Sequence, residues 1–153
     1  MIAAFGLPVD EPEPGVIVLP DNLITGVHLT RLSPDGQDRD REDKAKIMIG
    51  FSKGSPIMLA PWTDSLGIVI SEGIEDALSA HEATGLCAWA AGSASRLPAL
   101  ANALPSWLEC VTILAHNDQD GQRHAAALAA RLEQRDVEIR LIVLGAEAEA
   151  SAA

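Results

Sequence analysis

The segment "IVISEGIEDALSAHEATG", residues 68 to 85, decides the fold. Its first residues are branched and apolar, a short strand with no polar side to show to water. Ser71, Glu72 and Gly73 then turn the chain. From Ile74 the period changes: Ile74, Ala77, Leu78 and His81 recur at i, i+3, i+4 and i+7, one face of a helix, and Gly85 stops it. Strand, tight turn and helix make the first half of a parallel crossover unit.

The pattern repeats downstream. "LCAWAA" (86 to 91) reads as a strand. Ser95 is the predicted cap of a helix carrying Leu97, Leu100 and Leu104, with Pro98 in its tolerant first turn and Pro105 at its end. "CVTILA" (110 to 115) is a strand, residues 121 to 135 an Ala-rich helix with Leu128 and Leu132 on one face, and "VEIRLIVL" (137 to 144) the last strand. Residues 67 to 145 therefore run β-α-β-α-β-α-β, an α/β core. Right-handed crossovers make it a four-stranded parallel sheet flanked by helices. Residues 146 to 153 read as a flexible tail.

Residues 1 to 66 read differently. The first fourteen look irregular, with "DEPEPG" as a cluster of breakers. "VIVLP" (16 to 20), "GVHLTRLS" (26 to 33), "AKIMIGF" (45 to 51) and "SPIMLA" (55 to 60) read as strands of a small antiparallel β unit. "PDGQDRDREDK" between them is a turn and a solvated charged loop.

Composition narrows the function classes. Hydrophobic residues are 48% and charged residues 22%, which argues for a packed core. Aromatics are only 3%, so Leu, Ile, Val and Ala must fill that core. The formal net charge is -11, the wrong sign for a free-standing nucleic-acid binder. Arg31, Arg39, Arg41, Lys44, Lys46 and Lys53 offset the acids between them, so that stretch is near neutral. Cys87 and Cys110 lack metal-type spacing and read as buried thiols of a reducing compartment. No apolar run approaches ~18 residues, and the N-terminus is a poor signal peptide, so no membrane partner and a cytoplasmic location are expected.

The chemistry concentrates where strands end. Ligands of parallel sheets sit beyond the carboxyl ends of the strands. Glu72 stands there after residues 68 to 70, with Gly73 expected to let the chain turn tightly and a ligand approach. Glu75 and Asp76 fall in the first helical turn, where acids complement the helix dipole. Asp118 and Asp120 follow residues 110 to 115. In strand order 2-1-3-4 these two loops are neighbours. Three hard oxygen donors round one space suit Mg²⁺ or Mn²⁺, and such an ion suits phosphoryl transfer. "AAGSAS" (90 to 95) ends a strand at the same edge; Gly92 and Ser93 would hold a phosphate on its exposed N–H groups, or form a plain capped turn. Arg123 is placed to reach that phosphate. His28, His81 and His124 are scattered and read as structural. Trp62, Trp89 and Trp107 show no stacking-platform spacing and read as packing residues.

"VISEGIEDALSA" followed by "TILAHNDQDGQRHAAALAARL" resembles the Toprim domain, the catalytic module of bacterial primases, type IA and type II topoisomerases and related nucleases. That family carries Glu-Gly after its first strand and Asp-x-Asp after its third, with a Gly beyond. The form here is similar to primase-type members of phages, plasmids and other mobile elements. Aligned on Gly121, His116 takes the place of the first Asp and Asp118 that of the second, while Asp120 falls at a variable position. The resemblance implies a Glu72 that is general acid/base or metal ligand. Asp118 and Asp120 would hold Mg²⁺ or Mn²⁺, with His116 a poor Mg²⁺ ligand and a fair Mn²⁺ one. In primases a β unit precedes the Toprim core and carries a basic residue in a short strand. Lys46 is the positional match and Lys44 its neighbour, although edge lysines also discourage strand pairing.

Three functions follow from the resemblance. One is a DNA primase or primase-helicase module making phosphodiester bonds from nucleotides on a DNA template. The second is a Toprim nuclease. The third is a non-catalytic binding module, with His116 as the mark of lost activity. No zinc ribbon and no G-x-x-x-x-G-K-[ST] loop is present, so zinc-binding or helicase domains or subunits are the expected partners, and nucleic-acid binding by the chain alone is expected to be weak and salt-sensitive.

Overall fold

The computed structural model describes residues 2–6, 24–38, 40 and 45–145. The predicted strand at 16 to 20, Lys44 and the tail at 146 to 153 lie outside the described residues. The elements are β1 (Ile2–Gly6), β2 (Ile24–Thr30), β3 (Lys46–Gly50), β4 (Ile57–Ala60), β5 (Gly67–Ser71), α1 (Ile74–Thr84), β6 (Cys87–Ala90), a 3₁₀ helix (Ala94–Ala103), β7 (Cys110–Ala115), α2 (Gln119–Leu132) and β8 (Glu138–Val143).

The main sheet has the order β4-β6-β5-β7-β8. Strands β6, β5, β7 and β8 are mutually parallel. Their order is the expected 2-1-3-4, with the switch point between β5 and its two neighbours. The sheet has a fifth strand: β4 joins its edge, antiparallel to β6. The sequence placed residues 55 to 60 in the small antiparallel unit instead. Local pattern could not reveal this pairing, because β5 and α1 separate Ile57 from its partner Ala90 in the chain.

Strand alternation splits the core into two layers. Ile68 and Ile70 of β5, Cys87 and Trp89 of β6, and Val111 and Ile113 of β7 face α2 and the 3₁₀ helix, which supply Leu97, Leu100, Leu128 and Leu132. Each such buried Leu or Ile contributes about 1.5–3 kcal/mol. The other face of β6 is Ala88 and Ala90, small enough for Ile74 and Ala77 of α1 to lie close. Trp62, Trp89 and Trp107 do pack: Trp62 meets both others edge-on, with ring centroids 5.4 and 4.9 Å away. Both cysteines are free, and burial pushes the Cys87 thiol far above its ordinary range.

Two of the three helices depart from the sequence reading at their starts. α1 matches it, ending on Gly85 in the left-handed region (φ 71°). The middle helix begins at Ala94, capped by the backbone of Ser93 rather than by Ser95, and it is 3₁₀. Pro98 inside it lacks the N–H and crowds the turn before it. α2 starts at Gln119, because Asp118 caps it.

β1, β2 and β3 form a separate antiparallel sheet. β1 corrects the expectation of an irregular start: Ile2–Gly6 is a strand, paired with β2. Phe5 is wholly buried beside Ile74 and Ala77, and the Gly6 N–H donates to the Pro56 carbonyl at 3.0 Å. This docking sets the small sheet against the carboxyl end of β6. Gly92 sits there with φ +82°, and a Cβ on it would stand 3.1 Å from the Phe5 ring.

Candidate metal and nucleic-acid site

The site lies where β5 and β7 end side by side, with Ser71 level with Leu114. Ser71 is fully buried and its hydroxyl donates to the Gly73 carbonyl, which closes the turn. The Ala91 N–H donates to the Ser71 carbonyl and the Gly92 N–H to the Glu72 carbonyl, both at 2.9 Å. Glu72 is thus held by backbone on both sides. Gly73 is extended (φ −93°, ψ 151°), so the turn needs no left-handed residue. Its glycine serves a close approach instead: a Cβ would meet Asp76 Oδ2 at 2.9 Å.

Glu72 borders two cavities. An open cleft of about 520 Å³ is lined by Glu72, Ala94, Asp118, Gln119 and Asp120. A second space of about 10 Å³, the size of one water, is lined by His28, Thr30, Lys46, Glu72, Gly73, Ile74, Glu75 and Gly92. The small sheet therefore brings Lys46 to the same carboxylate that the second acidic loop approaches from the other side. Gly92 belongs to that second space. The Ser93 hydroxyl lies 3.4 Å from that of Ser95. Arg123 pairs with Asp120 at 2.8 Å and lies beside His124, so its described contacts are within its own helix.

The two acidic loops differ in what their carboxylates already do. Asp118 Oδ1 accepts the Gly121 N–H at 2.7 Å as the cap of α2. Asp120 is in the i,i+3 pair with Arg123. His116 reaches across to the other loop. Its Nε2 lies 2.8 Å from Asp76 Oδ2 and its Nδ1 3.3 Å from Glu72 Oε2. The Asp76 contact is a hydrogen bond, and the longer Glu72 contact is an ion pair that forms when the ring is protonated. The Asp76 hydrogen bond, with the charges of Glu72, Asp76 and Asp118, holds the His116 pKa above its ordinary 6.5, against the opposing effect of burial.

Asp76 is the residue that sequence reasoning missed, having been assigned to the helix dipole. A signal existed. Asp76 is the third residue of α1, where an acid normally answers a capping Ser or Thr; the cap here is Gly73, with no side chain to answer. Gly121 has a related role: a Cβ on it would lie 2.9 Å from the His116 carbonyl and 3.1 Å from the His116 Cβ. The first turn of α2 thereby presses His116 into place.

Among the described residues, no three His, Cys, Asp or Glu side chains are gathered as a ready-made ion cage. The donor set still suits a hard cation in kind. Mg²⁺ keeps several waters and takes only one or two protein carboxylates, the rest of its shell coming from water and phosphate. Glu72, Asp118 and Asp120 around one open cleft meet that requirement.

Residues 67–151 match the family profile described as Toprim domain. That span is more than half of the chain, and the chain belongs to the Toprim family. The mixed sheet flanked by helices is consistent with that fold, and membership fits a metal-dependent module of a nucleic-acid enzyme. Toprim domains of such enzymes generally bind Mg²⁺. No curated protein and no solved structure matches the chain significantly. No helix among the described residues is long and apolar enough to cross a membrane.

Proposed function

We propose that this chain is the Toprim module of a primase-type replication protein, joining nucleotides on a DNA template by nucleotidyl transfer. One observation carries the reading: Glu72 stands between the acidic cleft and Lys46, bordering both spaces. A 3′-hydroxyl attacks the α-phosphorus of a nucleoside triphosphate, a phosphodiester forms and pyrophosphate leaves. Glu72 takes the hydroxyl proton, a role that needs a carboxylate fixed by its backbone. Lys46 faces the incoming phosphate as a point charge, and the N–H groups that open the 3₁₀ helix after Gly92 lie at the same edge, the Gly92 N–H itself being held by the Glu72 carbonyl. Glu72, Asp118 and Asp120 would hold Mg²⁺ or Mn²⁺, which neutralises charge on the reacting phosphate.

The phosphate contacts within the chain are few against a formal net charge of -11. Template capture therefore falls to basic or zinc-binding partner domains, or to a helicase subunit. A second reading has its own support. His116 engages Glu72 directly, as expected of a module that binds without catalysis.

The discriminating experiment incubates the full chain with labelled single-stranded DNA and nucleoside triphosphates, with Mg²⁺ and with Mn²⁺. Extended products support the proposal. Shortened template supports a nuclease instead. Silence with both ions supports the non-catalytic module.

A further inference from the structure

We propose that His116, anchored by Asp76, is a latch on Glu72, so that a divalent cation entering the cleft must displace the imidazole to reach that carboxylate. The inference rests on the metal-dependent reading above and adds to it the residues that set cation access.

The geometry distinguishes an anchored end from a releasable one. The Asp76 contact is short, 2.8 Å, and the Glu72 contact longer, 3.3 Å. Gly73 leaves room beside the Asp76 carboxylate, since a Cβ there would stand 2.9 Å from Oδ2, the movable end of that side chain. The fixed support is at the other end, where Gly121 lets α2 close onto the His116 main chain. The latch therefore joins the end of β7 to the start of α1, with its ring carried on a main chain that α2 holds in place.

The other donors of the cleft make Glu72 the deciding one. Asp118 gives one oxygen to the α2 cap and Asp120 is paired with Arg123. An ion that gains Glu72 gains the donor with the firmest backbone; one that fails to dislodge His116 is left with the two exposed aspartates. Asp76 is thus a positioning residue. It holds the ring that competes for Glu72.

The test measures Mn²⁺ binding to the full chain, without substrate, from the electron paramagnetic resonance signal of the free ion. His116→Ala should bind Mn²⁺ roughly three- to tenfold tighter than the natural chain, the range expected for freeing a partly exposed, paired carboxylate. The gain should vanish when Glu72→Gln is added. His116→Gln, which fills much of the space but carries no positive charge to hold Glu72, should show the same gain and guards against a destabilised Ala variant. Asp76→Asn should shift the His116 ring nitrogen resonances. Unchanged or weaker Mn²⁺ binding in the His116 variants, beside measurable binding by the natural chain, overturns the latch and leaves the metal-dependent reading standing. A gain that survives Glu72→Gln, or unmoved ring resonances, overturns it too. Absence of Mn²⁺ binding in every variant overturns both.

Discussion

The loop after β5 and the loop after β7 carry the same kinds of side chain and use them differently. Glu72 is tied down by main-chain bonds on either side and is only 22% exposed. Asp118 caps a helix, and Asp120, 73% exposed, makes a surface pair. One loop fixes its acid by backbone, and the side chain meets His116 of the other loop. The other uses its acids to start a helix. Counting carboxylates at a strand end therefore overstates what a ligand can use.

Four substitutions break or sharpen that contrast. The largest effect should come from Glu72→Gln, which keeps the shape and removes the proton acceptor. Metal-dependent activity should fall by about 10²–10⁴-fold with an unchanged melting temperature. Full activity would put the two loops on an equal footing. Gly121→Ala should cost about 1–3 kcal/mol in urea unfolding, because the added methyl meets the His116 main chain rather than a flexible side chain. Asp118→Ala should cost about 1 kcal/mol through the lost cap. Asp120→Asn should cost less than about 0.5 kcal/mol, its ion pair being exposed. Equal costs for the two aspartates would erase the distinction between them.

A further effect concerns pH. The folded chain holds the His116 proton to higher pH than the unfolded chain does. The resulting stabilisation is whole below about pH 6.5 and fades as pH rises through the raised folded value. With the ring 38% exposed, it should amount to less than about 1 kcal/mol. Unfolding free energies of the natural chain and His116→Asn, measured from pH 5.5 to 8.5, should converge at the alkaline end.

Local signals made much of the fold legible. The Ile74, Ala77 period and Gly85 gave α1 its bounds, and the apolar run at Cys110–Ala115 gave β7. What escaped was non-local or hidden by punctuation. Pro8 and the breakers after it disguised β1, which is a strand because β2 pairs with it. The place of β4 depends on β6, distant in sequence. In the site, the convergence of Glu72 with Asp118 and Asp120 followed from strand order alone. The tie between His116 and Asp76 did not, because it spans forty positions of sequence and depends on side-chain direction.

The tryptophan cluster has a practical consequence. All three tryptophans of the chain lie in one contact series: Trp62 and Trp89 are buried in the layer under α2 and the 3₁₀ helix, and Trp107, 38% exposed, packs against Trp62 at its edge; there is no tyrosine. Intrinsic emission is therefore a gauge of that layer and its edge. The three-stranded sheet that carries Lys46 has no tryptophan or tyrosine, and its detachment would pass unseen by tryptophan emission while remaining visible to amide exchange.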